Sequence, residues 1–157
     1  SISKHLVIEH SRTGSIGEIA GEIERLRVQG FIDDRQAEAV SPADILAFFR
    51  SDIGRRVRGA DSVVREFRFS LLCPARRWFP ESPEGEEILL QGVVDLCIEE
   101  KGELTIIDFK TDARIEPQEH AAQLSAYAEA MGRILGKPVR GAVLWYLRKR
   151  TAVETAL

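Results

Sequence analysis

Asp95 and Asp108 are acidic residues set in otherwise apolar segments. Asp95 closes the run Gln91-Gly92-Val93-Val94-Asp95, and Asp108 leads Asp108-Phe109-Lys110-Thr111-Asp112 after two isoleucines. Both segments read as strands, in which side chains alternate between faces. Gln91, Val93, Asp95 and Cys97 are expected on one face, and Ile106, Asp108 and Lys110 on one face of the next strand. If the two strands pair as a hairpin, Asp95 meets Asp108, and Lys110 follows about 7 Å along. A carboxylate in a core is unfavourable by several kcal/mol unless it is paired or metal-bound. Two facing carboxylates repel, and a divalent cation relieves that repulsion. Mg²⁺ takes oxygen ligands, commonly one or two carboxylates with water and substrate phosphate. A lysine beside it can activate water or hold charge on phosphorus. The trio therefore suits phosphodiester hydrolysis. Spacing alone leaves open a plain surface strand pair in which Lys110 forms ion pairs with both aspartates.

The elements that must position these residues follow from periodicity and punctuation. Residues 4–10 read as the end of a helix. Ile16, Ile19, Ile23 and Leu26 follow helical spacing up to Gly30. A short helix is expected from Phe31 to Val40, entered through Asp33 or Asp34. Ser41-Pro42-Ala43-Asp44 reads as a helix start with Asp44 reaching back, and Gly54 as that helix's end. From Ser62 the character changes. Val63 to Leu72 alternates as a strand, with Val64, Glu66, Arg68 and Ser70 on one side. Arg76 to Glu87 is a loop broken by Pro80, Pro83 and Gly85. Ile88 to Ile98 and Leu104 to Lys110 form the hairpin. Pro117 opens a helix to about Leu135, then Val139 to Leu147 is a strand, with a last short strand after the Arg148-Lys149-Arg150 turn. The pattern predicts one domain over residues 1–157, helical over 1–60, with an α/β mixed sheet flanked by helices over 62–157.

Composition narrows the class. The chain has 157 residues, 44% hydrophobic and 30% charged, which allows a full core. No apolar run nears the roughly 18 residues of a membrane span, and no signal peptide is expected. Cys73 and Cys97 lack CxxC partners, so neither zinc nor an iron–sulfur cluster is expected, and two reduced thiols suit a cytoplasmic protein. A net charge of −3 gives no general polyanion-binding signal. The clusters Arg55-Arg56-Val57-Arg58, Arg76-Arg77 and Arg148-Lys149-Arg150 read first as solvated surface. No Walker A glycine loop is present, so no ATP site is expected. The chain opens on Ser1 and is expected to be a piece of something larger.

Three ordered segments, Gln91-Gly92-Val93-Val94-Asp95, Asp108-Phe109-Lys110-Thr111-Asp112 and Gln123-Leu124-Ser125-Ala126-Tyr127, resemble the QGxxD, DxKTD and QLxxY motifs of the RecB/AddA family of helicase–nucleases. Arg65-Glu66-Phe67-Arg68-Phe69-Ser70 resembles the family's preceding strand, and His5-Leu6-Val7-Ile8-Glu9-His10 its metal-binding helix. The resemblance implies a restriction-endonuclease-like PD-(D/E)XK fold. It implies a metal set of His5, Asp95, Asp108 and the Phe109 backbone carbonyl, holding Mg²⁺ with Mn²⁺ as substitute. Lys110 would position or activate water, Gln123 and Tyr127 would line the site or hold the DNA strand, and Glu66 would support the metal shell. The Gly-Thr pair usual before the histidine is replaced here by Ile2-Ser3, and His10 and His120 match no family ligand. The implied activity is a DNA exonuclease acting on single strands in double-strand break repair. The implied partners are the parent chain's helicase domains and a second nuclease/helicase subunit. Rival readings are an inactive DNA-binding or scaffolding relic of the fold, a different PD-(D/E)XK endonuclease, or a structural protein–protein module.

Overall fold

The computed structural model describes residues 2–9, 15–155 and 157; His10 lies outside them. The first third is helical: α1 (Ile2–Glu9), α2 (Ile16–Val28), α3 (Asp34–Ala39), α4 (Pro42–Arg50) and α5 (Asp52–Gly59). Capping sets their starts. Ser15 with Glu18 and Asp33 with Gln36 form reciprocal capping boxes. Ser41 accepts from the Asp44 amide ahead of Pro42. The Asp44 carboxylate does not reach back. It accepts from Arg150 Nε at 2.7 Å and so ties α4 to the far end of the chain.

Gly54 does not end α4, as its type suggests. Ser51 ends α4 and its side chain caps α5, and Gly54 lies inside α5. A Cβ on Gly54 would collide with the Phe48 carbonyl oxygen, so the residue is a close-approach glycine rather than a stop signal.

Five strands follow: β1 (Ser62–Pro74), β2 (Glu87–Glu100), β3 (Glu103–Lys110), β4 (Val139–Tyr146) and β5 (Thr151–Thr155), in that spatial order. β1, β2 and β3 are antiparallel neighbours, β3 and β4 are parallel, and β5 returns antiparallel. The β2–β3 turn is tight, with Lys101 and Gly102 both at positive φ, the geometry that lets a two-residue turn follow strand twist. The parallel β3–β4 step needs a crossover, supplied by α6 (Ala121–Leu135), which left-handed Gly136 closes. A single 3₁₀ turn over Pro117–His120 precedes α6, so the regular helix begins four residues later than Pro117 suggests.

Helices cover both faces of the sheet. On one, Leu96, Ile98, Ile107, Phe109, Val143 and Trp145 pack with the N-terminal helices. Phe48 stacks edge-on against Phe109 and Trp145 at 5.0 and 5.5 Å. On the other face, Cys97, Ile106, Leu144 and Tyr146 pack with Leu124, Tyr127 and Met131 of α6.

The expected alternation breaks midway along β1 and β2. Phe67 and Phe69 pack on the α6 side, but so does Val64, while Val63 joins the opposite core. On β2, Val94 and then Cys97 face α6, while Leu96 and Ile98 face the other way. Gln91, Val93, Asp95 and Cys97 therefore do not share one face. Nor do Val64, Glu66, Arg68 and Ser70. The cause lies at Glu66, which has φ 45° and sits opposite Asp95, between the pairs Arg65–Leu96 and Phe67–Val94. A left-handed residue reverses strand parity, and holding a non-glycine there costs on the order of 1–3 kcal/mol. The outer part of the β1–β2 hairpin is thus turned over relative to the rest of the sheet, and Asp95 stands at the turnover.

Candidate active site

Asp95 and Asp108 lie one step beyond the outermost paired positions of the β2–β3 hairpin, Leu96 with Ile107, so the register sets them opposite each other. Both are buried, at 5% and 2% exposure. Asp95 Oδ2 accepts the Phe109 backbone amide at 2.9 Å, which pins it to β3. Burial, then the neighbouring Asp108 charge, pushes the Asp95 carboxyl up to about 6. Lys4 and the Phe109 amide pull it down without overcoming those effects.

Each carboxylate meets an ammonium group. Lys110 Nζ lies 2.7 Å from Asp108 Oδ2, and Lys4 Nζ of α1 lies 2.7 Å from Asp95 Oδ2. The Lys110 contact is an ion contact only, for Asp108 Oδ2 is buried and has no directed hydrogen-bond partner. Lys110 instead donates to Gln123 Oε1 at 2.9 Å, and Gln123 Nε2 donates to the Tyr127 hydroxyl at 3.0 Å. Gln123 and Tyr127 are one helical turn apart on α6, which lets one helix hold the whole relay. Burial first, then Asp108 and Asp95, raise the Tyr127 phenol above the usual value.

Gly92 explains how the ring gets there. A Cβ at this position would lie 2.8 Å from Tyr127 Cε1 and 3.1 Å from two Phe69 ring carbons. Tyr127 and Phe69 meet edge to face over it at 5.7 Å. Gln91, one residue earlier, is exposed and reaches Ser70 Oγ at 3.4 Å, so the Gln-Gly pair contributes through its glycine.

The structure thus brings together Asp95, Asp108, Lys110, Gln123 and Tyr127. His5 sits at the rim, half-exposed, with Nδ1 3.8 Å from Glu66 Oε1. Among the described residues, no three His, Cys, Asp or Glu side chains converge as a metal cluster. Sequence reasoning does not single out Lys4. Only its place next to His5 on a short helix could point to it. His120 is 3.7 Å from Asp112, away from the carboxylate pair's contacts. Cys73 and Cys97 are free and buried, and burial pushes the Cys97 thiol up to about 12.

The basic clusters largely serve the fold. Arg56 bonds Glu100 and Thr105, Arg58 caps the Phe49 carbonyl, and Arg77 pairs with Glu129. No helix among the described residues is long and apolar enough to cross a membrane.

A mixed five-stranded sheet between helices, with an Asp…Asp-x-Lys constellation at its hairpin, defines a restriction-endonuclease-like α/β nuclease fold. The profile of the PD-(D/E)XK nuclease superfamily matches residues 10–156, and the chain belongs to that superfamily. Among curated proteins it is 36% identical over 151 residues to an ATP-dependent helicase/nuclease subunit from Desulforamulus reducens, covering 90% of this chain and 12% of that protein. Proteins of the same name from Clostridium kluyveri and Bacillus mycoides are 30% and 32% identical, over 94% and 90% of the chain and 13% of each relative. The chain therefore spans about an eighth of the length of these relatives. The superfamily match and these relatives together support a RecB/AddA-type nuclease domain, as the motifs imply.

Proposed function

We propose that this nuclease domain hydrolyses DNA phosphodiesters with a divalent cation, Mg²⁺ or Mn²⁺, held by Asp95 and Asp108. The observation that carries the reading is the buried, facing carboxylate pair on the β2–β3 hairpin, with the Lys110 ammonium group beside Asp108. Two buried carboxylates side by side repel each other, and a divalent cation between them offsets both charges. The donor set fits a hard cation: two carboxylates, with the Phe109 carbonyl and His5 as further candidate ligands. Bound there, the cation would act as a Lewis acid on the phosphoryl oxygen and acidify a water.

The chain's own residues do the rest. Phe109 N–H fixes the Asp95 carboxylate against rotation. Lys110, steered by Gln123, presents its ammonium group beside Asp108. There it orients the attacking water and offsets charge that builds on the phosphorus oxygens. Tyr127 holds Gln123 in the amide orientation that leaves Oε1 for Lys110. Water adds to phosphorus, the P–O bond to the leaving strand breaks, and the departing oxygen takes a proton.

In its parent protein the domain acts as an exonuclease on single strands delivered by helicase domains, alongside a second subunit, in cytoplasmic double-strand break repair. The relatives' name, helicase/nuclease subunit, supports the link to helicase domains. The test is cleavage of end-labelled single-stranded DNA with Mg²⁺ or Mn²⁺, beside Asp108→Ala. Metal-dependent cleavage that vanishes in the variant is expected. Equal cleavage by both would place the chemistry elsewhere, and no cleavage by the wild-type protein at low salt would favour an inactive relic. A circular single strand separates the modes, since an endonuclease cuts it and an exonuclease leaves it whole.

A further inference from the structure

Without a metal, the site is neutral by construction: two carboxylates face two ammonium groups, each pair 2.7 Å apart. The two lysines are not equivalent. Lys110 rides a central strand, is 14% exposed, and is also held by Gln123. Lys4 comes from α1, which packs on the opposite core through Leu6, Val7 and Ile8, and is 29% exposed. Its ammonium group sits on Asp95 Oδ2, one of the oxygens a divalent cation would need. Charges of +2 and +1 cannot share that oxygen without strong repulsion in a buried site.

We propose that Lys4 is a built-in counter-ion of Asp95 that holds the site together without metal and must be displaced when the divalent cation loads. The inference rests on the metal reading above and adds a residue and an order of events to it. Lys4 is the one that leaves, because it is the more exposed of the two and comes from a peripheral helix rather than a central strand. Its neighbour His5, now turned toward Glu66, sits on the same helix. A small movement of α1 that withdraws Lys4 therefore also repositions a nitrogen donor at the rim. The Arg65 guanidinium, which donates to the Ile8 carbonyl at 3.1 Å, anchors the other end of that helix.

The test is Mn²⁺ affinity, read by calorimetry or by the electron-spin signal of free Mn²⁺, in the binding step that Asp108→Asn abolishes. Lys4→Met and Lys4→Gln should tighten that step about tenfold, because each removes the competing charge. Lys4→Arg keeps the charge and should stay within about twofold of the wild-type protein. In chelator, Lys4→Met should melt at a lower temperature, and added Mn²⁺ should raise its melting point by more than that of the wild-type protein. Should Lys4→Met fail to fold, Lys4→Gln, which can still hydrogen-bond Asp95, carries the test alone. Unchanged or weaker Mn²⁺ affinity in the charge-removing variants, with Asp108→Asn still abolishing the step, would overturn the proposal and leave the metal site standing. A binding step that survives Asp108→Asn would overturn both.

Discussion

The two halves of the carboxylate pair are built in different ways. Asp108 and Lys110 come from one strand, two residues apart, and are steadied by Gln123 and Tyr127 one turn apart on one helix. Asp95 takes its partners from a distance: the Phe109 amide across the hairpin, and Lys4 from a helix at the other end of the chain. It also stands where the sheet turns over, opposite left-handed Glu66. The first half is local and braced. The second depends on the whole fold, and that makes it the half that can respond to what binds.

The largest expected effect breaks the braced half. Lys110→Ala should reduce cleavage on the order of 10³-fold. Metal binding should stay largely intact, measured by single-turnover assay beside Mn²⁺ titration. Unchanged cleavage would remove Lys110 from the chemistry. Gly92→Ala should come next, because its methyl would stand 2.8 Å from Tyr127. Overpacking of that kind costs roughly 1–3 kcal/mol, measurable by denaturant melting, and should lower cleavage by moving Tyr127.

Asp95 offers a pH reading of the responsive half. Its carboxyl shifts from an ordinary 3.8 to about 6 in the folded, metal-free protein. Between those values the folded state holds the proton that the unfolded chain has lost. This group's contribution to stability therefore falls as pH rises from about 4 to about 6 and is flat outside that window. Melting in chelator across the window should show the decline, and Asp95→Asn should flatten it. An equally steep decline in the variant would assign it to another group.

Gln123→Ala should release Lys110 and lower the cleavage rate about tenfold, equivalent to about 1.4 kcal/mol, with little change in stability. The smallest effect is expected from Arg65→Ala. Loss of its bond to α1 should cost about 1 kcal/mol. It should speed hydrogen exchange in α1, while cleavage at saturating metal changes little. If Arg65→Ala disturbed catalysis as much as Gln123→Ala, the contrast between the halves would fail.

The braced half was legible in the sequence because its residues lie within one strand and one helical turn. The spacing of Asp108 and Lys110, and of Gln123 and Tyr127, is itself the geometry. Most element boundaries were legible for a similar reason, since capping residues such as Ser15, Asp33 and Ser41 act on amides three positions away. Gly54 misled because a glycine needed for close approach looks the same in sequence as one that stops a helix. The shared face assigned to Gln91, Val93, Asp95 and Cys97 failed because strict alternation assumes one backbone conformation throughout, and Glu66 breaks it.

Sequence by itself determined most of the strands and helices and the hairpin that brings Asp95 to Asp108. Tertiary structure alone decided that Lys4, not His5, touches Asp95, that Gly92 makes room for Tyr127, and that the arginine clusters mainly tie the fold together. Those are contacts between residues far apart along the chain. Their existence depends on how α1 and α6 dock on opposite faces of a twisted sheet, and no local spacing encodes that docking.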